Sequence, residues 1–351
     1  MKKLSVLIGC LMASLTHNVF AEETKVDLYQ TKQFTLAQIQ PIIDEYRSKI
    51  KLVHQSAMKG NYKAGEKDIL AFRKAIDTEV NKLGQYAYLK LDFVIYPKDP
   101  NNYLSINAVD KGLESTLPVY GPEPTGHYSD PAHLFSEWNK YQRVAMPLYM
   151  SGKVNSDFMK CKELHCIGEF GTPTLRKYEK EFSQKVPQHQ VELIEILKND
   201  SNSNKRATAV FLLAHAMNEP QLIDLMLGAM NDPDETVRAN SVRVLSAIAM
   251  KDKNVTLPVD DFIKMLNSPI LMDKSKALTV LFGLSQQPRY VEVIKEKAGP
   301  ALMDCLRLNQ PNLHNSAYLT LQSISGQLKN KSGQHYSDRD YAAWSHWLGL
   351  S

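Results

Sequence analysis

The sequence predicts a mainly α protein whose C-terminal half is a superhelix of stacked helical hairpins, preceded by a mostly helical region with minor β. Three observations predict it. Ala207, Ala239, Ala277 and Ala317 recur 32, 38 and 40 residues apart, each opening an apolar helical stripe. Asn199, Asn231, Asn267 and Asn309 recur just upstream of them. Pro233, Pro269 and Pro311 each stand two residues after one of the last three asparagines. Periods of this length mark arrays in which each unit buries its apolar face against its neighbours.

Four hairpins follow from these columns, across residues 188–328. In the first, Val191–Leu197 leads through a polar turn into Lys205-Arg206-Ala207 and the run Val210–Leu213. The second pairs Leu222–Met226 with Val237–Leu245, and the third pairs Phe262–Leu266 with Lys276–Phe282. The fourth pairs Ala301–Leu306 with Ser316–Leu321. A small residue at the start of each second helix lets the paired helix approach closely, where a larger side chain would force the hairpin apart. Asparagine suits a left-handed helix exit, and proline beyond it stops the helix.

The segment Asp232-Pro233-Asp234-Glu235-Thr236-Val237-Arg238-Ala239 resembles the turn of a HEAT repeat. The resemblance implies that an acid and a base at this offset hydrogen-bond along the stack. Asp232 with Arg238 and Asp200 with Arg206 fit it, both six residues apart. The third unit keeps Lys276 without a clear acid, and the fourth has Ser316 in place of a base, so the polar ladder is expected to stop after the second hairpin. HEAT-like arrays imply a long surface for another protein or peptide. Asn240 and Arg243 on the second helices are the candidate contacts, since Phe211, Leu281 and Leu321 take the places equivalent to Arg243.

Residues 329–351 read as a cap. Tyr341, Trp344, Trp347 and Leu348 share one helical face and would cover the apolar end of the last hairpin.

The region from 22 to 187 is less legible. Ile39, Ile42, Ile43, Tyr46, Ile50 and Val53 make one helical stripe, with Pro41 near its start. Leu70, Phe72, Ile76, Val80 and Leu83 make a second, and Leu134, Trp138, Tyr141, Val144 and Leu148 a third. Ala87, Leu89, Leu91, Phe93 and Ile95 alternate with polar residues, which fits a strand or a long helix continuing through Gly84. Residues 118–131 hold four prolines and two glycines and form a loop.

The chain opens with Met1-Lys2-Lys3, an apolar run from Leu4 to Leu15, and Val19-Phe20-Ala21 before two acids. This is the pattern of a signal peptide, residues 1–21, cleaved after Ala21. A periplasmic or secreted protein is expected. The run is shorter than the roughly 20 residues of a spanning helix, and no later segment reaches that length. Leu7-Ile8-Gly9-Cys10 resembles a lipobox, but cutting there leaves a short apolar region, so ordinary cleavage is favoured and a lipid anchor at Cys10 stays the minor alternative.

The leader carries two of the lysines, so the formal charge of +4 falls to +2 without it. Lysines are scattered, which argues against a nucleic-acid partner and against charge-driven membrane binding. Cys161 and Cys166 stand five positions apart in a chain bound for an oxidising compartment, and a disulfide is expected between them. Cys161, His165 and Cys166 are the competing zinc reading, which lacks a fourth ligand. Cys305 sits in an apolar helical context and reads as a buried hydrophobe.

No nucleophile elbow or phosphate loop is present, and no catalytic residue, cofactor or metal ligand is assigned. His127, Asp130 and His133 could meet a metal, but their spacing fits a loop with a helix cap at Asp130. Asp260 and Asp261 open a helix, where acids favour the dipole. The expected function is an envelope interaction module. The alternative is an enzyme, metal-dependent or not, with its site in residues 85–187.

Overall fold

The computed structural model describes residues 23–58, 65–96, 99–150, 172–328 and 335–350. The leader with Cys10, and Cys161 with His165 and Cys166, lie outside them. The described chain is mainly helical with one small sheet.

Strand β1 (Thr24–Tyr29) is followed by helices α1 (Leu36–Met58) and α2 (Glu66–Leu83) and by strands β2 (Tyr86–Ile95) and β3 (Asn102–Asp110). Thr35 opens α1, and Gln38 Oε1 reaches back to accept the Thr35 amide at 2.8 Å, which is half of a capping box. The sheet order is β1-β3-β2, with β1 parallel and β2 antiparallel to β3. The register places Leu28, Ile106 and Leu91 in one row. That apolar face packs on Ile39, Ile43 and Ile50 of α1 and Phe72, Ile76 and Val80 of α2.

The alternation at 87–95 thus resolves as a strand, and Gly84 ends α2 in extended backbone at φ −167°. Strands β1 and β3 are additions to the sequence reading. β3 is buried along nearly its whole length, on its polar positions as well as its apolar ones. Its second face is covered by the rest of the molecule, so its polar residues do not mark a solvent side.

A helical pair precedes the first repeat. Helices α3 (Leu134–Met150) and α4 (Pro173–Lys185) form a leading pair. Trp138 of α3 stacks on Phe211 of the first repeat, with ring centroids 5.5 Å apart, and meets Phe182 of α4 at 5.6 Å. Then come α5 (Gln190–Asn199) with α6 (Ser203–Leu213), and α7 (Glu219–Ala229) with α8 (Glu235–Lys251). α9 (Val259–Leu266) pairs with α10 (Leu271–Ser285), and α11 (Pro288–Leu306) with α12 (Pro311–Ile324). One continuous core runs from Leu134 to Trp344. Ala207, Ala239, Ala277 and Ala317 are all buried.

Helix α13 (Tyr341–Leu348) lies against α11. Trp344 is fully buried there, and its indole donates to Ser337 O at 2.9 Å.

Candidate functional site

The second helices carry a ladder of buried charge. Arg206 donates through Nε and Nη2 to the two oxygens of Asp232, at 2.8 and 2.7 Å, and through Nη1 to Asp200 O at 2.8 Å. Arg238 repeats the motif one unit on. Its Nη1 donates to Asp232 O and Pro233 O, both at 2.8 Å. Its Nε and Nη2 donate to the carboxylate of Asp273, both at 3.1 Å. Both arginines are buried, and a desolvated bidentate pair holds its geometry tightly.

The ladder therefore reaches the third hairpin, one rung further than expected, and breaks at that hairpin's own base. Ser268 occupies the third acid position, and its hydroxyl accepts from the Ile270 amide at 3.1 Å, as Asp232 Oδ1 accepts from the Asp234 amide at 2.8 Å. Serine is too short to reach Arg238. Asp273, from the first turn of α10, supplies the carboxylate instead, and Ser268 Oγ donates to it at 3.3 Å.

The third base also moves. Lys274 stands seven residues after Asn267, as Arg206 and Arg238 stand seven after Asn199 and Asn231. Lys276 is half-buried two positions further along, where burial, with Arg243 nearby, holds its amine down to about 8. Lys274 is fully buried, and its Nζ has no hydrogen-bond partner among the described residues. Gln310 fills the next acid position and offers no charge. The ring of Tyr29 lies over the ammonium instead, 2.9 Å from centroid to Nζ. Burial lowers the Lys274 pKa to about 7.

Residues of the N-terminal region line the turns of all four hairpins. Gly126 N–H donates to Asn199 O at 2.8 Å, and Gly121 N–H donates to Asn231 O at 2.7 Å. Gln30 Nε2 donates to Asn267 O at 3.2 Å. Asp27 accepts from the amides of Asn309 and Gln310, at 2.7 and 2.8 Å. The asparagine column thus marks a docking line. None of its members takes the left-handed backbone expected of it: the described non-glycine residues with positive φ are Gln30, Ala132 and His133.

The strap at 118–128 adds further ties. Tyr120 donates its hydroxyl to Asp273 at 2.5 Å, and its ring lies 3.5 Å from the Arg238 guanidinium carbon. Burial and the Asp273 charge push the Tyr120 phenol up. Tyr128 N–H donates to Asp200 at 3.2 Å, and Lys205 Nζ donates to Tyr128 O. From the sheet, Lys90 pairs with Glu235 at 2.5 Å, at the start of α8.

Where the strap crosses from Asn231 to Asn199 it roofs a cavity of about 1030 Å³ between α5 and α7. Ile194, Leu197, Met217 and Leu225 form its apolar wall, and Pro122 and Pro124 its roof. Glu123, Lys198 and Asp224 stand at the exposed edge.

The residues singled out from sequence take these places. Asn240 Nδ2 donates to Ala207 O at 2.9 Å, tying α8 to α6. Arg243 is half-buried, its guanidinium carbon 5.8 Å from the Phe211 ring centroid. His127 Nδ1 lies 2.9 Å from Ser201 Oγ. Asp130 accepts from the amides of Phe135 and Ser136, at 2.8 and 3.1 Å, and so caps α3. Cys305 is a buried free thiol, pushed up to about 12 by burial. Among the described residues no three His, Cys, Asp or Glu side chains gather where they could hold a metal ion. No described helix is long and apolar enough to cross a membrane.

Asp27, Tyr29, Tyr120 and Asp273 were missed from sequence. The one available signal was the loss of the acid at Ser268 and Gln310, which left two bases needing another partner.

Residues 191–269 match the family model for HEAT repeats. No curated protein matches the chain.

Proposed function

We propose that this HEAT-repeat protein is exported and serves the cell envelope as a scaffold that binds another protein or peptide. The observation that carries the reading is the stiffened array. Two buried bidentate pairs join successive hairpins, and the strap bridges the first two turns over an apolar-walled groove. Such a stack offers a preformed surface, and a preformed surface loses little conformational freedom on binding.

The leader pattern at residues 1–21 supports export, with the mature chain beginning at Glu22 and a Cys161–Cys166 disulfide forming outside the cytoplasm. Asn240 and Arg243 are the proposed contacts on the second helices, and the strap-roofed groove is the proposed contact on the first helices.

Capture from a periplasmic extract with the full mature chain tests the reading. Recovery of a defined partner at fixed stoichiometry, weakened by Arg243→Ala or by substitution in the groove, is the expected result. Recovery of nothing specific at physiological salt overturns it.

A further inference from the structure

We infer that the groove between α5 and α7 receives an extended basic peptide segment that inserts aliphatic side chains, an inference resting on the scaffold reading above. Its volume of about 1030 Å³ exceeds what one side chain fills. A segment in extended backbone advances about 3.3 Å per residue and directs alternate side chains to one side, which suits a trough. The wall residues Ile194, Leu197, Leu225 and Met217 are aliphatic or thioether, so the groove favours aliphatic insertions.

Charge selects the rest of the partner. The first helices α5, α7 and α9 carry Glu192, Glu195, Glu219, Asp224, Asp260 and Asp261 against Lys198 and Lys264, a net of −4, while α11 is neutral. The whole chain is +4, so this face runs against the average. Glu192 is engaged with His189 at 2.6 Å, and Asp260 with Lys297 at 2.7 Å. Asp232 in the groove is held by Arg206. Asp224 has no ion pair among the described residues, and Glu123, 74% exposed, stands 3.9 Å from Arg206. Both face the groove edge, where Lys198 is the one base beside these two acids. Carboxylates at a groove edge draw cations by field and reject acidic competitors. The strap contributes prolines at 122 and 124, which offer no amide donor, so recognition there rests on side chains and carbonyls.

A fluorescein-labelled peptide alternating lysine with leucine is the probe, titrated onto the full mature chain by fluorescence polarisation. Two control peptides carry glutamate for lysine or serine for leucine. The inference expects the lysine–leucine peptide to bind at least about tenfold tighter than either control and to weaken as salt rises. An Asp224→Lys, Glu123→Gln variant should lose about tenfold for that peptide while its melting temperature stays at the wild-type value. Equal binding of the glutamate peptide, no binding of the lysine peptide, or no effect of the variant overturns the inference. Periplasmic capture separates the two failures. Equal partner recovery by wild type and variant sinks the groove alone, whereas no recovery by wild type sinks the scaffold reading.

Discussion

Lys274 Nζ lies 2.9 Å from the centroid of the Tyr29 ring, with no hydrogen-bond acceptor among the described residues, at the rung where the ladder runs out of acid. A strand from the other end of the chain thus covers the unmatched base of the third hairpin. Asp273 and Asp304, the Cys305 thiol and Asp92 are the titratable groups around it.

Lys274→Met should stabilise the protein at neutral pH. The amine is desolvated and makes no hydrogen bond among the described residues, and methionine fills similar volume without that penalty. A gain of about 1–3 kcal/mol is expected from urea unfolding at pH 7. A loss of stability would show that the ring contact outweighs desolvation.

The same lysine gives a pH dependence. Its folded-state pKa of about 7 lies below the ordinary 10.5. The unfolded chain therefore holds the proton through a window where the folded chain has released it. The penalty is full below about pH 7, shrinks as pH rises to about 10.5, and vanishes above. Wild type should gain stability relative to Lys274→Met across that window, read as converging unfolding midpoints.

Asp273→Ala should destabilise by about 3–5 kcal/mol, because it leaves Arg238 buried without its carboxylate. The double substitution Arg238→Met, Asp273→Leu should recover most of that loss. Chemical denaturation of the single and double variants measures both.

Gly126→Val should detach the strap locally. A Cβ there would stand 2.6 Å from Asn199 O, a backbone atom, and 2.7 Å from Tyr128 Cε2. The Gly126 and Ser201 amides, which pair across this junction, should lose hydrogen-exchange protection. A cost of about 1–3 kcal/mol is expected for the overpacking. Unchanged protection at Ser201 would refute the pinning role.

Thiol counting under denaturing conditions, with intact mass, checks export and oxidation together. A mature chain starting at Glu22 with a single reactive thiol is expected; three thiols would refute the disulfide, and a retained leader would refute cleavage.

The repeat units were legible because packing leaves a regular mark. Ala207 and Ala239 must be small, and the Asp232-to-Arg238 spacing follows from one turn. The third hairpin was misread by two residues because Lys276-Ala277 imitates the Arg-Ala pair, while the structural base is Lys274 beside Ser275. The N-terminal sheet was only partly readable. The outer polar positions of β2, Lys90 and Asp92, look like a solvent face, yet Lys90 meets Glu235 of α8. The groove could not be read at all, since it depends on Gly121 and Gly126 crossing two turns far away in sequence.

The four asparagine exits are each bonded to a segment N-terminal to the array, through Gly126, Gly121, Gln30 and Asp27. A bare row of helix pairs behaves as a spring whose pitch changes under load. Here each of the four repeats is clipped along one side, so changing the pitch requires those clips to open. The molecule should resist tension as a strut until they open, and only then yield as a coil.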